Sequence, residues 1–311
     1  MPDSMKKYIG IEIGGTKLQV FLGDRNMEII RKSLINVGEN KNADNIREKI
    51  EHVIQEFLAF NNVCGIGVGF GGPIDYKTGT IATSHQVKGW SGFNLRKWLE
   101  NISGLPVQVE NDANTAALAE AQYGSGETYD KVFYVTLGSG IGGGYIINKE
   151  IYHGLEPGES EIGHMCYDKT GTTFESLCSG WAVDKKVRNY IAAKPESILT
   201  KMVGANTNSE AKYLGRAIQE GDLGAMKILE ETTENLAFGL SHVIHLFHPE
   251  IIILGGGLSL MGELLRKSVV SYIPKFVMKA FYPGPDLRLA GLGEDVVAFG
   301  ALLLAKKYQL K

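Results

Sequence analysis

The chain repeats one plan: an apolar strand, a turn built from glycine residues and a second apolar strand. The first copy runs from Tyr8 to Phe21 around Gly14-Gly15-Thr16-Lys17, and the second from Val132 to Asn148 around Gly138-Ser139-Gly140. A turn without side chains exposes backbone N–H groups, an arrangement that suits a phosphate. An ordinary hairpin is the commoner outcome of a single Gly-Gly pair. The repetition predicts two structurally related halves.

Between the two copies, an apolar strand passes directly into a helix. The strand Pro106–Val109 is followed by Glu110-Asn111-Asp112-Ala113-Asn114 and then by an alanine-rich run. Ligands of open α/β sheets bind just past the carboxyl ends of the strands, where a carboxylate such as Asp112 can accept a proton from a substrate hydroxyl. Capping of the helix by Asp112 or Asn114 is the alternative, and this stretch taken alone favours it.

The spacing of apolar residues predicts the larger elements that surround this junction. Residues at helical spacing predict a surface helix over 43–60. The stretch Gly65–Asp75 is a predicted strand with alternate glycines that leave little side-chain bulk, so something else must approach its backbone closely. The remaining predicted elements are helices at 95–99, 181–193, 210–220, 223–247 and 296–307, and a strand at 250–254 that ends in Gly255-Gly256-Gly257.

Bulk composition excludes several classes of function. A length of 311 residues suggests two domains, and a formal charge of −3 without a basic block gives no sign of a nucleic acid or anionic membrane partner. No apolar run is long enough to span a bilayer, and the first residues lack a secretory signal. The three cysteines form no C-x-x-C pair, so we expect a reducing, cytoplasmic setting.

Two further patterns suggest binding sites that the surrounding sequence does not support. The glycines from Gly138 to Gly143 satisfy G-x-G-x-x-G, with Glu159 and Glu161 at about the 20-residue spacing of a dinucleotide fingerprint. That fingerprint must open a helix, and a β-prone run follows here, so NAD binding is a minor alternative. His242, His245 and His248 lack a completing carboxylate, and packing at a helix end is favoured over a metal site.

Taken in order, these motifs resemble the ROK family (repressors, open reading frames and kinases), within the actin-like, hexokinase-type ATPases. The matching stretches cover nearly the whole chain and are Ile13–Lys17, Gly71–Asp75, Glu110–Asn114, Leu137–Gly144, Glu161–His164 and Leu254–Leu258. The resemblance implies a two-domain, actin-like (ribonuclease H-like) α/β ATPase fold with a cleft between the domains. The small domain would comprise residues 1–115 and 297–311, and the large domain residues 116–296.

The resemblance also implies residue roles, with ATP and Mg²⁺ as cofactors and a homodimer as the assembly. Asp112 would be the catalytic base that takes the proton from the 6-hydroxyl of a hexose. The substrate would be bound by Gly72, Asn111, Asp112, Glu161, His164 and Glu175. The nucleotide would be bound by Gly14, Gly15, Thr16, Lys17, Gly138, Ser139, Gly140, Gly255, Gly256 and Gly257. Glu12 would contact Mg²⁺ indirectly.

Three departures from the family pattern bear on these roles. Glu12 stands where the family has aspartate, which lengthens the reach toward the metal. The family's zinc element is missing, since only Cys166 and Cys178 lie near His164 and their spacing is wrong, so we expect no zinc site and a loop held by packing alone. Ser84-His85-Gln86 replaces the usual Ser-Pro-Asn, which can alter a sugar contact.

Glucose is the first choice of substrate, and alternatives remain open. N-acetylglucosamine, N-acetylmannosamine or fructose would present many of the same hydroxyl groups. A non-catalytic sugar sensor, suggested by Glu12, would bind sugar without ATP turnover, and Asp112 argues against it. A ROK repressor would need an N-terminal helix-turn-helix, for which the sequence before Tyr8 leaves no room.

Overall fold

The computed structural model describes residues 6–14, 18–36, 42–84, 87–158, 160–206 and 208–307. The strands are β1 (Lys7–Ile13), β2 (Leu18–Asp24), β3 (Ile29–Leu34), β4 (Val63–Phe70), β5 (Ile74–Asp75), β6 (Thr80–Ile81), β7 (Val107–Asn111), β8 (Lys131–Leu137), β9 (Ile141–Ile147), β10 (Glu150–Ile151), β11 (Ile251–Gly255) and β12 (Asp286–Leu289). The helices are α1 (Ala43–Leu58), α2 (Leu95–Ser103), α3 (Asp112–Tyr123), α4 (Phe174–Cys178), α5 (Gly180–Ala193), α6 (Ile198–Val203), α7 (Leu214–Gln219), α8 (Leu223–Phe247), α9 (Glu263–Phe276) and α10 (Val296–Lys307).

The chain forms two compact units. The first unit comprises Met1–Tyr123, Gly144–Glu159 and Leu292–Lys311, and the second comprises Gly124–Gly143 and Ser160–Gly291. Among the described residues, none of the helices combines the length and apolar character of a membrane span. The division into domains at 115/116 and 296/297 stays a prediction.

The first unit is built on a five-stranded sheet in the order β3-β2-β1-β4-β7. Strand β1 pairs antiparallel with β2 and parallel with β4, and β4 pairs parallel with β7. Every residue of β1 from Tyr8 to Ile13 is buried, as expected for strands covered on both faces. Helix α1 buries the predicted apolar stripe, including Ile46, Ile50 and Phe57, and Asn42 caps its N-terminus.

The alternate glycines of β4 are explained by helix α10. A Cβ atom added to Gly67 would lie 1.9 Å from the backbone oxygen of Ala301, and one added to Gly69 would lie 2.5 Å from Cγ1 of Val297. Helix α10 therefore packs its backbone against the strand, which only glycine permits. Helix α10 therefore makes the close approach to this backbone that the alternate glycines predict.

The strands β9, β8, β11 and β12 are neighbours in that order, and β10 pairs antiparallel with the end of β9. Strand β11 is parallel to both β8 and β12 and is buried throughout. Helix α8 occupies the predicted range of 223–247 and ends at His248 in a left-handed conformation. The predicted helix over 210–220 is a 3₁₀ turn, Glu210–Tyr213, followed by α7.

Candidate active site

Three neighbouring parallel strands of the first unit end at one edge of its sheet. Their register aligns the final residues, Ile13, Phe70 and Asn111. The residues that follow them are Gly14, Gly71 and Asp112. Since the carboxyl ends of parallel strands form the usual ligand edge of an open sheet, the pairing register alone brings these three residues together. We call them the strand-end cluster.

The carboxylate of Asp112 lies against bare backbone in this cluster. A Cβ atom added to Gly71 would lie 3.2 Å from Oδ2 of Asp112 and 3.4 Å from Cα of Gly14. Neither of these two glycines adds a side chain at this contact. The carboxylate and the backbone of the two turns therefore lie close together.

Helix α3 is capped by Asn111. The Oδ1 atom of Asn111 accepts hydrogen bonds from the backbone N–H groups of Ala113 (2.8 Å) and Asn114 (3.2 Å), which is the N-cap arrangement. Its Nδ2 donates to the backbone oxygen of Gly72 at 3.2 Å. The N-cap residue is therefore Asn111 rather than Asp112 or Asn114.

A buried carboxylate, Glu110, supports this junction and was missed by sequence reasoning. Its Oε1 accepts hydrogen bonds from the backbone N–H of Asn111 (2.9 Å) and from Nδ2 of Asn114 (3.1 Å), and its Oε2 lies 2.6 Å from Nε2 of His153. Only 1% of the Glu110 side chain is exposed. An acidic residue that directly follows Val109 within a buried strand was a usable signal for Glu110, but nothing local connects it with His153.

Glu12 lies buried on β1 and receives a hydrogen bond of 2.6 Å from Nε2 of Gln19, its partner across the β1–β2 pair. The Oε1 of Gln19 is buried and has no hydrogen-bond partner among the described residues. Among all the residues that the structure describes, no three His, Cys, Asp or Glu side chains are grouped so as to hold a metal ion. Mg²⁺ needs only one or two carboxylates when waters and phosphates complete its shell, and the indirect contact predicted for Glu12 stays a prediction.

Part of the predicted site lies outside the described residues. Gly15, Thr16 and Lys17 of the first glycine turn and His85 and Gln86 of the polar loop belong to this part. Their roles stay predictions.

The second glycine turn is closely packed. The N–H of Gly138 donates to the backbone oxygen of Gly140 at 3.0 Å, and the oxygen of Gly138 accepts from Gly180 at 2.7 Å, at the start of α5. A Cβ atom added to Gly180 would lie 2.7 Å from that oxygen. Strand β9 begins at Ile141, directly after the turn. Dinucleotide binding requires a helix at this position, so the structure does not support that alternative.

Glu161, His164 and Glu175 surround the start of β9, and we call them the turn cluster. The Oε2 of Glu175 accepts a hydrogen bond of 2.8 Å from the N–H of Ile141. Glu161 precedes a 3₁₀ turn, Ile162–His164, and His164 is its last residue. A Cβ atom added to Gly163 of this turn would lie 2.2 Å from the oxygen of Ile141. The side chains of Glu161 and His164 are 41% and 71% exposed, with 4.0 Å between Oε2 and Nε2.

The loop between His164 and α4 is held by hydrogen bonds as well as packing. Cys166 and Thr173 form a β-bridge, and the N–H of Tyr167 donates to the oxygen of Thr172 at 2.7 Å. The expectation that packing alone holds this loop is therefore wrong: its short length lets the two sides pair as a hairpin. The absence of zinc stays a prediction.

Asp168 closes the tip of this hairpin. Its Oδ1 accepts hydrogen bonds from the hydroxyl (2.6 Å) and N–H (2.7 Å) of Thr170 and from the N–H of Thr172 (3.2 Å). The Thr170 hydroxyl is the main reason that the pKa of Asp168 lies well below its usual range. Beneath the hairpin, burial raises the pKa of the Cys178 thiol to about 12.

The glycines that follow β11 have structural explanations. A Cβ atom on Gly255 would lie 2.1 Å from the hydroxyl oxygen of Tyr134, and one on Gly256, whose φ is 80°, would lie 2.6 Å from the backbone carbon of Leu137. A Cβ on Gly257 would meet nothing within 4 Å. Only Gly257 is therefore unexplained by packing, and a nucleotide contact by this turn stays a prediction.

The three histidines at the end of α8, His242, His245 and the C-cap residue His248, make backbone contacts. His245 Nε2 accepts a hydrogen bond of 3.1 Å from the N–H of Met278, while ring nitrogens of His242 and His248 lie 3.0 Å and 2.9 Å from the backbone oxygens of Phe238 and His245. These contacts agree with packing at a helix end.

Comparisons with known proteins identify the family. The chain matches the ROK family over residues 8–308. The chain belongs to the ROK family. It is 29% identical over 309 residues to a glucokinase of Thermotoga maritima, covering 97% of this chain and 98% of that protein. It is also 30% identical to a beta-glucoside kinase of Listeria monocytogenes over 81% of this chain and 83% of that protein.

The crystal structure of a ROK family glucokinase from Streptomyces griseus, in complex with glucose and AMPPNP, superposes with a TM-score of 0.85 at 28% identity. The match covers 97% of this chain and 99% of that one. These findings confirm the resemblance to ROK sugar kinases and the two-domain, actin-like α/β fold. They leave the preferred sugar of this chain open.

Proposed function

We propose that this ROK protein is an ATP-dependent kinase that phosphorylates the 6-hydroxyl of a hexose, with glucose as the preferred substrate. The observation that carries the proposal is the position of Asp112, whose carboxylate lies beside Gly71 and Gly14 at the ends of three parallel strands. The name of the Thermotoga relative and the glucose and AMPPNP of the Streptomyces structure support the choice of sugar and nucleotide.

In the proposed reaction, Asp112 accepts the proton of the 6-hydroxyl as that oxygen bonds to the γ-phosphorus of ATP. The bond between the γ-phosphorus and the β,γ-bridging oxygen breaks, and ADP leaves with that oxygen. Positioning and charge stabilisation supply most of the acceleration in phosphoryl transfer, and a positioned base contributes about 10²–10⁴-fold. Mg²⁺, when bound near Glu12, would neutralise charge on the phosphates.

Asn111 would orient the sugar through one hydrogen atom. Its Oδ1 is occupied by the helix cap and its Nδ2 already donates to Gly72. An amide nitrogen carries two hydrogens, so the second can donate to a sugar hydroxyl. The bond to Gly72 fixes the direction in which that hydrogen points.

The turn cluster would bind hydroxyl groups at the reducing-end side of the ring. Glu161 and His164 present half-exposed or exposed polar side chains on a turn whose backbone is packed against Ile141. Glu175 would bind through Oε1, because Oε2 accepts from Ile141. The turns Gly14–Lys17, Gly138–Gly140 and Gly255–Gly257 would contact the nucleotide.

The test is ATP- and Mg²⁺-dependent ADP release across glucose, mannose, fructose, glucosamine, N-acetylglucosamine and N-acetylmannosamine. We expect glucose to give the highest kcat/KM, and ³¹P-coupled NMR of the product to show phosphate on oxygen 6. A higher kcat/KM for another sugar would correct the substrate and keep the kinase. Sugar binding without any ADP release would favour the sensor.

The proposal also includes a cytoplasmic homodimer, as the family resemblance implies. Light scattering on the purified protein would give the mass of two chains, and a monomer with full activity would remove this part of the proposal. The preference for glucose would stand independently of that result.

A further inference from the structure

The pair formed by Glu110 and His153 joins two segments that are distant in sequence. The imidazole Nε2 lies 2.6 Å from the Glu110 carboxylate, and 18% of the His153 side chain is exposed. The ring stacks on Tyr76, with 3.7 Å between ring centroids and 12° between planes. Imidazole Nε2 can donate this hydrogen bond, with the carboxylate oxygen as its acceptor.

Glu110 uses both carboxylate oxygens. A buried carboxylate is costly unless hydrogen bonds satisfy it, and Oε1 is satisfied by the N–H of Asn111 and the side chain of Asn114. These residues surround Asp112 in the first turn of α3. His153 satisfies Oε2. The Glu110 carboxylate therefore restrains the backbone that carries Asp112 through one oxygen, and through the other it binds a histidine from a different segment.

That second segment, residues 152–158, follows β10 and is fixed by further contacts within the first unit. Lys77 forms an ion pair with Glu156, and a Cβ atom added to Gly158 would lie 3.0 Å from Cβ of His153. Along the chain the segment leads directly to Glu161 and His164. His153 thus links the stretch that precedes the turn cluster to Glu110, the carboxylate that restrains the backbone of Asn111 and Asp112.

We infer that Glu110 and His153 are positioning residues for phosphoryl transfer, and this inference rests on the proposed kinase function. The hydrogen bond from His153 holds the Glu110 carboxylate in the orientation that fixes the Asn111–Asp112 backbone. Neither residue touches the reacting atoms. A displacement of about 1 Å at a reacting group can cost about 10²-fold in rate, so a loosened pair lowers kcat.

Two substitutions at position 153 separate the hydrogen bond from the ring. His153→Phe keeps a ring to stack on Tyr76 but cannot donate, whereas His153→Gln keeps an N–H donor without the ring. We expect His153→Phe to lower kcat about tenfold or more, with the KM for ATP changed less than about twofold, and His153→Gln to retain most of the wild-type kcat. The control His52→Phe changes a histidine whose side chain is 77% exposed on α1 and should have no effect.

Hydrogen exchange gives a second measurement that does not depend on turnover. In His153→Phe, amide exchange should increase at 111–116 and at 152–158, with the melting temperature still close to that of the wild type. Wild-type kcat in His153→Phe, or an equal loss in His153→Gln, would overturn the role of the hydrogen bond. Unchanged exchange at 111–116 would overturn its connection to Asp112.

If His153→Phe does not fold, ¹⁵N NMR of the wild-type imidazole decides whether His153 donates the hydrogen bond to Glu110. The account requires a protonated, slowly exchanging Nε2, and a deprotonated Nε2 would contradict it. If the wild-type protein phosphorylates no sugar in the panel, the proposed function fails. The NMR and exchange results would still show whether the pair orders the start of α3.

Discussion

The strand-end cluster and the turn cluster place polar groups in different ways. Asp112 follows a buried strand whose register with two neighbours fixes its position, and its helix is capped by the adjacent Asn111. Glu161 and His164 lie on a short 3₁₀ turn with much of their side chains exposed. The strand-end cluster is therefore organised by the core, whereas the turn cluster depends on local contacts around Ile141.

This difference separates the expected effects of substitution. Changes at the strand-end cluster should act on the chemical step, because the scaffold there cannot readjust without disturbing the sheet. Changes at the turn cluster should act mainly on sugar affinity, because a turn on the surface can move at lower cost. The following experiments test that separation.

Asp112→Asn should have the largest effect on catalysis. The substitution keeps the size of the side chain and removes the base, so we expect kcat to fall about 10²–10⁴-fold with nearly unchanged sugar affinity. Steady-state kinetics and calorimetric titration with glucose measure the two quantities. The control Asp44→Asn alters a carboxylate whose side chain is 82% exposed and should leave both unchanged. An equal loss of sugar binding would show that Asp112 mainly binds.

Gly67→Ala and Gly163→Ala form the next comparison, since each new Cβ would meet a backbone oxygen, at 1.9 Å and 2.2 Å. Gly67 packs against α10 in the core, so we expect Gly67→Ala to lower the free energy of unfolding by about 1–3 kcal/mol. Gly163→Ala should displace the turn cluster, raise the KM for sugar and cost less stability. Urea unfolding and kinetics measure both variants.

The control for this comparison is Gly154→Ala, because a Cβ atom there would meet nothing within 4 Å. If Gly163→Ala proves as destabilising as Gly67→Ala, the turn belongs to the core of its unit and the contrast is lost.

Glu175→Ala should raise the KM for sugar about tenfold, since it removes the acceptor of the Ile141 N–H, and hydrogen bonds to charged groups contribute about 1.5–3 kcal/mol. Glu175→Gln retains an acceptor and should keep the turn in place. Kinetics that vary glucose at saturating ATP, for both variants, test this. A large decrease in kcat with unchanged KM would show that Glu175 acts in the chemical step rather than in sugar binding.

Thiol labelling should have the smallest effect of these experiments, and the labelled protein should keep its function. Cys166 is exposed and should react first with a disulfide reagent at pH 8. Cys178 is buried and its pKa is raised to about 12, and because only the thiolate reacts, it should stay unmodified until the protein unfolds. Mass spectrometry of the labelled protein identifies the sites. Fast labelling of Cys178 would mean that the hairpin above it opens readily.

The sequence predicted the parts of this molecule that depend on local pattern. Helices α8 and α10 occupy the predicted ranges because long apolar periodicity and terminal signals define them. The junction at Asn111 and Asp112 was predictable because a strand pattern changes there to an alanine-rich helix. The glycines of β4 correctly implied that something approaches this strand closely, without identifying helix α10.

The remaining features depend on tertiary contacts that no local pattern encodes. The strand register that joins Gly14, Gly71 and Asp112 requires pairing between distant segments. The partners Glu110 and His153 are 43 residues apart. Short elements such as α6 and β12 were missed because a few residues carry too little periodicity. The hairpin at 165–173 was missed because its cross-strand bonds follow from loop geometry.

The most direct test of the central claim is a crystal structure of the protein with glucose and a non-hydrolysable ATP analogue. We predict a carboxylate oxygen of Asp112 within about 2.6–3.2 Å of the glucose 6-oxygen, on the side away from the γ-phosphate. Gly14 and Gly71 should lie beside that contact. A glucose 6-oxygen bound by other side chains, with Asp112 directed elsewhere, would contradict the claim that the strand-end cluster supplies the base.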